Sequence, residues 1–267
     1  MNLRLLCVLA HPDDESLGMG GVVARYAAEG VATYLVTATS GEWGWPGAAE
    51  EHPGAHQLAQ IREAELHAAA EVLGIRGLNL LRYPDGGLAT ASSEDVITRI
   101  AQAVRQIRPQ VVITFGPDGA TGHPDHIAIC QLTTGALLCA ADPAYRTAER
   151  EAAHRVAKLY YLAPTRAKLD MYDQIFGDSA MTVDGVRRRV PGWPEWSVST
   201  RIDSTPYTQQ VWRAISCHRS QLPILDALAG APPATHETLF GTTTLYRVYS
   251  LVNAAHQDET DLFDGFR

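Results

Sequence analysis

The 267-residue sequence predicts an α/β fold: a Rossmann-like, doubly wound, mostly parallel sheet with a C-terminal elaboration. Three observations predict it. Short apolar runs alternate with longer helical patterns through residues 1–163, which is the signature of βαβ units. Polar loops rich in Gly, Pro and Asp follow the first and fourth runs, where a parallel sheet places its ligands. The alternation then weakens, so residues 164–267 read as an elaboration covering the cleft of one domain spanning 1–267.

The elements follow in order. Residues 3–10 are an apolar run that stops at His11 and reads as a buried strand. Residues 16–30 read as a helix, with Val22, Val23 and Tyr26 on one face and Gly30 as its stop. β-Branched residues mark 31–38 as strand two. A turn-forming loop, 40–47, carries Glu42, Trp43 and Trp45. A long helix over 55–73 ends at Gly74, and 77–82 gives strand three. After a loop at 83–87 comes a helix over 93–107, capped by Ser92 or Ser93. Strand four is 110–115, a helix covers about 124–140, and strand five is 157–162. Beyond these, 197–202 and 242–252 read as strands. Residues 208–228 read as a helix with Pro223 as a candidate break, and 257–267 as a loosely ordered acidic end.

Composition narrows the function. A formal net charge of -8 argues against a nucleic-acid binder, which needs a basic face. Arg187-Arg188-Arg189 is the one basic cluster and reads as a solvated loop. No apolar run approaches the ~20 residues that span a bilayer, and the first run lacks a signal-peptide cleavage site. The cytoplasm is the expected compartment, and the sequence leaves room for a homo-oligomer. Cys7, Cys130, Cys139 and Cys217 form no C-x-x-C pair, so a cysteine metal site is not expected.

The chemistry concentrates in two loops. His11-Pro12-Asp13-Asp14-Glu15 follows strand one, and His123-Pro124-Asp125-His126 follows the loop after strand four. In a 3-2-1-4-5 strand order these strands are neighbours at the switch point. Two histidines and one carboxylate would leave an open position on a zinc ion for water. A remaining carboxylate can take the water's proton, and a remaining histidine can stabilise the developing charge. Pro at the first helical position with acids in the first turn is also ordinary helix-start chemistry. It is the pair of motifs, each after a buried strand, that carries the functional reading.

Those motifs resemble the PIG-L (LmbE-like) zinc-dependent N-deacetylases. Ala10-His11-Pro12-Asp13-Asp14-Glu15 pairs with Gly122-His123-Pro124-Asp125-His126, over roughly residues 1–225 of context. The resemblance implies an enzyme that removes acetyl groups from N-acetylglucosaminyl compounds, a small-molecule amino-sugar conjugate being its partner. It implies one zinc ion per chain, with another divalent metal such as Fe2+ as the alternative. The implied ligands are His11, Asp14 and His126, and the implied general base is Asp13. His123 would stabilise the oxyanion or act as general acid, with Asp125 orienting it and favouring its protonated form. Arg62 matches an arginine that family members place toward the sugar. Asp85, in Tyr83-Pro84-Asp85-Gly86-Gly87, resembles a substrate-contacting loop. His218, in Cys217-His218-Arg219-Ser220-Gln221, resembles a C-terminal family motif that would face the cleft. From their own chemistry, Glu42 could accept sugar hydroxyls, and Trp43 and Trp45 could stack on an apolar face. Thr121 stands where some thiol-cofactor members carry Tyr, which departs from that subgroup.

Other readings compete. Gly18-Met19-Gly20-Gly21 lacks the full dinucleotide-loop pattern. A two-metal phosphoesterase needs more bridging carboxylates. A non-catalytic metal module and an amidase of a thiol conjugate are the remaining rivals.

Overall fold

The computed structural model describes residues 2–177, 181–183, 186–221, 228–252 and 258–267. β1 (Arg4–Leu9) is buried almost throughout and feeds the loop that carries His11. The predicted first helix is two pieces, α1 (Asp14–Leu17) and α2 (Gly20–Ala28). Close packing explains the glycines at the join. A Cβ on Gly21 would lie 2.6 Å from Ser204 Cβ, and one on Gly20 would lie 3.0 Å from Val211. The Gly-Met-Gly-Gly stretch is therefore a helix-packing contact.

β2 (Ala32–Thr39), α3 (Ala55–Leu73), β3 (Gly77–Tyr83), α4 (Ser93–Ile107) and β4 (Val111–Phe115) follow close to expectation. Gly74 ends α3 in the left-handed conformation with φ 78°. Ser92 caps α4, accepting the Asp95 N–H. A short turn, α5 (Gly119–Gly122), leads into α6 (Pro124–Ala141), and then β5 (Lys158–Leu162). In the C-terminal region come α7 (Arg166–Phe176), the hairpin β6 (Met181–Val183) and β7 (Val186–Arg188), and β8 (Thr200–Asp203). α8 (Thr208–Ile215), α9 (Pro233–Phe240) and β9 (Thr242–Ser250) complete the fold.

Seven strands share one sheet in the order β3-β2-β1-β4-β5-β9-β8. The first five are parallel, while β9 runs antiparallel to β5 and β8. The chain reverses its winding direction between β1 and β4, which pair as Leu5↔Val111 through Cys7↔Ile113. α4 packs on α6, and α8 packs on α2 and α3. Right-handed crossovers place those two groups on opposite faces of the sheet. Among the described residues, no helix is long and apolar enough to cross a membrane.

Two expectations are corrected. The helix expected over 208–228 ends at Ile215, and Pro223 lies outside the described residues. α7 and α9 occupy segments without a sequence assignment. Residues 258–267 are packed rather than loose, with Glu259, Leu262 and Phe263 all buried. Glu259 supplies the reason. Its Oε1 accepts from Lys158 Nζ at 2.8 Å and Arg247 Nη1 at 3.2 Å. Its Oε2 accepts from the Tyr160 hydroxyl at 2.7 Å and Thr200 Oγ1 at 2.9 Å. Removing one partner of a buried ion pair leaves the other charge uncompensated, typically at about 3–5 kcal/mol. Glu259→Ala is accordingly expected to lower unfolding free energy by about that amount in urea titration; a loss below about 1 kcal/mol would contradict this role.

Candidate active site

β1 and β4 deliver their loops to one edge of the sheet, and six predicted residues meet there. His11 Nδ1 and His126 Nε2 lie 3.1 Å apart. Asp14 Oδ1 is 3.4 Å from His126 Nε2, and Asp14 Oδ2 is 3.8 Å from His11 Nδ1. Asp14 is held in place by its Oδ2, which accepts the N–H groups of Ala10 at 3.1 Å and His11 at 2.8 Å. The His123 ring sits edge-on to His11, with centroids 4.6 Å apart. His126 stacks on Phe115 of β4 at 3.9 Å.

Hydrogen-bond partners fix the ring nitrogens. His126 Nδ1 donates to the Gly119 carbonyl at 2.9 Å, which leaves a lone pair on Nε2. His11 Nε2 lies 3.3 Å from Asp85 Oδ1 and 3.4 Å from Asp125 Oδ2, so it is the protonated nitrogen, and Nδ1 carries the lone pair in the neutral ring. Two lone pairs facing each other at 3.1 Å require a cation between them, either a proton or a metal. Burial opposes a charge on His11, but the hydrogen bonds of Asp125 and Asp85 outweigh it and push the group up to about 10. Burial likewise opposes ionisation of Asp14, yet His126 and His11 hold it well below the usual carboxylate range.

This donor set fits a divalent metal. Bonds of about 2.0–2.1 Å in a tetrahedral site place neighbouring ligand atoms about 3.3 Å apart. The separations among His11, Asp14 and His126, with a different Asp14 oxygen nearest each ring, bracket that value. Among the described residues, the groupings that bring one ligand atom from each member within 4.8 Å of the others are His11–His123–His126 and His11–Asp85–Asp125.

Asp13 is the strained member. It has φ 114° and ψ -26°, a region that non-glycine residues rarely enter. Its Oδ2 accepts from Arg62 Nη2 at 3.0 Å. Burial raises Asp13 to about 6 against the opposing pull of Arg62.

Several residues stand elsewhere than expected. The expectation for Asp125 is that it orients His123 and favours its protonated form. Instead its carboxylate accepts Gly86 N–H at 2.8 Å and Leu88 N–H at 3.0 Å, fixing the loop after β3. The His123–Asp125 hydrogen bond runs the other way: Asp125 N–H donates to His123 Nδ1 at 3.1 Å. That leaves His123 Nε2 as a neutral N–H donor. Burial and the neighbouring His11 and His126 push His123 down to about 4. Arg62 is buried rather than facing an open cleft. It donates to Pro12 O and, at 2.9 Å, to Gly41 O, and a Cβ on Gly41 or Gly44 would run into its guanidinium. His218 is 1% exposed and meets Glu15, rather than lining the cleft.

The loops after β2 and β3 close one side. Asp85 Oδ2 accepts Trp43 N–H at 3.0 Å, and Asp85 N–H donates to Glu42 Oε1 at 2.9 Å. Trp43 is 65% exposed beside this junction. Sequence reasoning missed Glu15, treated as a helix-start acid, although it is wholly buried. A third carboxylate placed directly after Asp13 and Asp14 was the available signal.

Residues 6–137 match the PIG-L family, described as GlcNAc-PI de-N-acetylase. The 1D-myo-inositol 2-acetamido-2-deoxy-alpha-D-glucopyranoside deacetylase of Kineococcus radiotolerans is 36% identical over 261 residues, covering 85% of this chain and 72% of its own. The chain belongs to the PIG-L family. The deacetylase of the same description from Streptomyces avermitilis is 35% identical, over 98% of this chain and 97% of its own. A conserved protein of Thermus thermophilus superposes with a TM-score of 0.65 at 26% identity, covering 94% of this chain and 97% of that one. As a PIG-L protein this chain is an N-deacetylase, a hydrolase acting on an N-acetyl amide, with a His/Asp group able to hold a metal.

Proposed function

We propose that this PIG-L protein removes the acetyl group from an N-acetylglucosamine residue joined to inositol, using a zinc ion held by His11, Asp14 and His126. The observation that carries the metal reading is the facing pair of ring lone pairs beside the Asp14 carboxylate. The inositol conjugate is supported by the relatives that match across most of this chain, whose descriptions name that substrate.

When bound, the ion supplies a Lewis acid that lowers the pKa of water toward ~7. Asp13, partly open to the cleft and held by Arg62, takes a proton from the attacking water as its oxygen reaches the acetyl carbon. His123 donates its Nε2–H to the carbonyl oxygen as negative charge develops there, a kind of contact typically worth about 3 kcal/mol. A neutral donor suits this task because its Nδ1 is already occupied by the Asp125 N–H. The C–N bond then breaks, and protonated Asp13 returns its proton to the leaving nitrogen, giving acetate and the free amine. Asp125 and Asp85 orient His11 through Nε2. Glu42, Asp85 and the exposed Trp43 border the side on which sugar hydroxyls and the aglycone would lie.

Metal analysis of purified protein, followed by assay of amine release, tests this. About one zinc per chain is expected. Turnover should be highest on the N-acetylglucosaminyl inositol compared with free N-acetylglucosamine and other glycosides, and lost on chelation. Tight metal binding with no release of amine from any of these would overturn the enzymatic reading. A preference for another aglycone would overturn the inositol assignment alone.

A further inference from the structure

The turn after α8 carries the Cys217-His218-Arg219-Ser220-Gln221 motif, none of which takes part in the scheme above. It reaches three walls of the site. His218 Nε2 meets Glu15 Oε1 at 2.7 Å, with both side chains 1% exposed. Ser220 donates to Glu65 of α3 through its N–H at 2.8 Å and its hydroxyl at 2.7 Å. Glu65 lies about one helical turn beyond Arg62. Gln221 Nε2 donates to Gly44 O at 2.8 Å, in the loop that carries Trp43.

The contact with Glu15 leads to the reacting groups. Glu15 Oε2 accepts the backbone N–H of Asp13 at 3.0 Å. That amide belongs to the strained residue, and a strained backbone persists only where its surroundings over-determine it. Arg62 holds the Asp13 carboxylate from one side, and Glu15 holds its amide from the other. Glu15 is in turn fixed by His218 and by the Ser16 hydroxyl.

We infer that His218 is a positioning residue: it locks the Glu15 carboxylate onto the Asp13 amide, and so sets the direction of the Asp13 carboxylate. The inference rests on the reading of Asp13 as the base. Its geometry offers a clean test, because His218 Nδ1 is buried without a hydrogen-bond partner among the described residues. Among those residues, Nε2 is the ring atom tied to a polar group, Glu15. A glutamine amide reaches the place of Nε2, whereas an asparagine amide reaches only that of Nδ1.

The experiment measures kcat, KM, metal content and Tm for His218→Ala, His218→Asn and His218→Gln, with Asp13→Asn alongside. Displacing a reacting group by about 1 Å can cost on the order of 100-fold. His218→Ala and His218→Asn are therefore expected to lose about 10- to 100-fold in kcat, with KM and metal content close to wild type. His218→Gln should recover most of that loss. Should His218→Ala fail to fold, the asparagine and glutamine pair still decides the question. Three results would overturn the inference: activity kept by asparagine and lost by glutamine, equal activity in all variants, or losses that simply follow Tm. Near-normal turnover by Asp13→Asn would instead remove the base assignment on which the inference stands.

Discussion

Asp13→Asn is expected to lower kcat by about 10²–10⁴-fold, the range for removing a general base, while metal content stays at the wild-type level. Asparagine keeps the volume of the side chain and can still accept from Arg62 Nη2, which lies 3.0 Å from Oδ2 in the wild-type protein. It cannot take a proton from water. The convergent atoms of His11, Asp14 and His126 do not include Asp13, so the metal should remain. Parallel assays of amine release and of bound metal make the check. Turnover near the wild-type rate would sink the base assignment, and loss of metal would show Asp13 to be a ligand.

His126→Ala should remove the metal, and turnover with it. It deletes one of the two facing ring nitrogens and the hydrogen bond to Gly119 O. Loss of a residue that only supports a ligand typically costs 10–100-fold in metal affinity, so loss of a ligand itself is expected to exceed about 100-fold. Competition with a chromogenic chelator measures it. His123→Ala is the contrast: its Nδ1 accepts a backbone N–H, and its absence should lower kcat without emptying the site. Equal loss of metal in both variants would place His123 among the ligands.

The parallel strands were legible because each is a short run rich in apolar residues; β4 is buried along its whole length, and β3, at the sheet edge, buries only Leu80 and Leu81. The adjacency of β1 and β4 is that of the common 3-2-1-4-5 strand order, which the helix–strand alternation suggested without fixing, and with it comes the meeting of the two His-Pro-Asp loops. Other features carry no local signature. An arginine on a helix looks alike in sequence whether it faces water or, as Arg62 does, two carbonyls and a carboxylate. Asp125 was placed at the site but given the wrong partner, because the groups its carboxylate accepts are backbone N–H groups of a loop 37 and 39 residues away. The acidic C-terminal stretch read as loosely ordered, since nothing in 257–267 announces that Lys158 waits inside for Glu259. The turn at 216–221 was noticed as a motif, yet its reach to Glu15, Glu65 and Gly44 depends on how α8 packs on α2 and α3.

The distance along the chain between His11 and His126, 115 residues, has a kinetic consequence. Contacts so far apart in sequence form late, because loop closure must precede them. Until β4 docks beside β1, the two ring nitrogens have no reason to be near each other. A metal captured there would bind the completed central sheet and not its precursors, so it stabilises the native state by mass action without speeding the steps that build it. Metal added during refolding should then slow unfolding and leave the refolding rate unchanged.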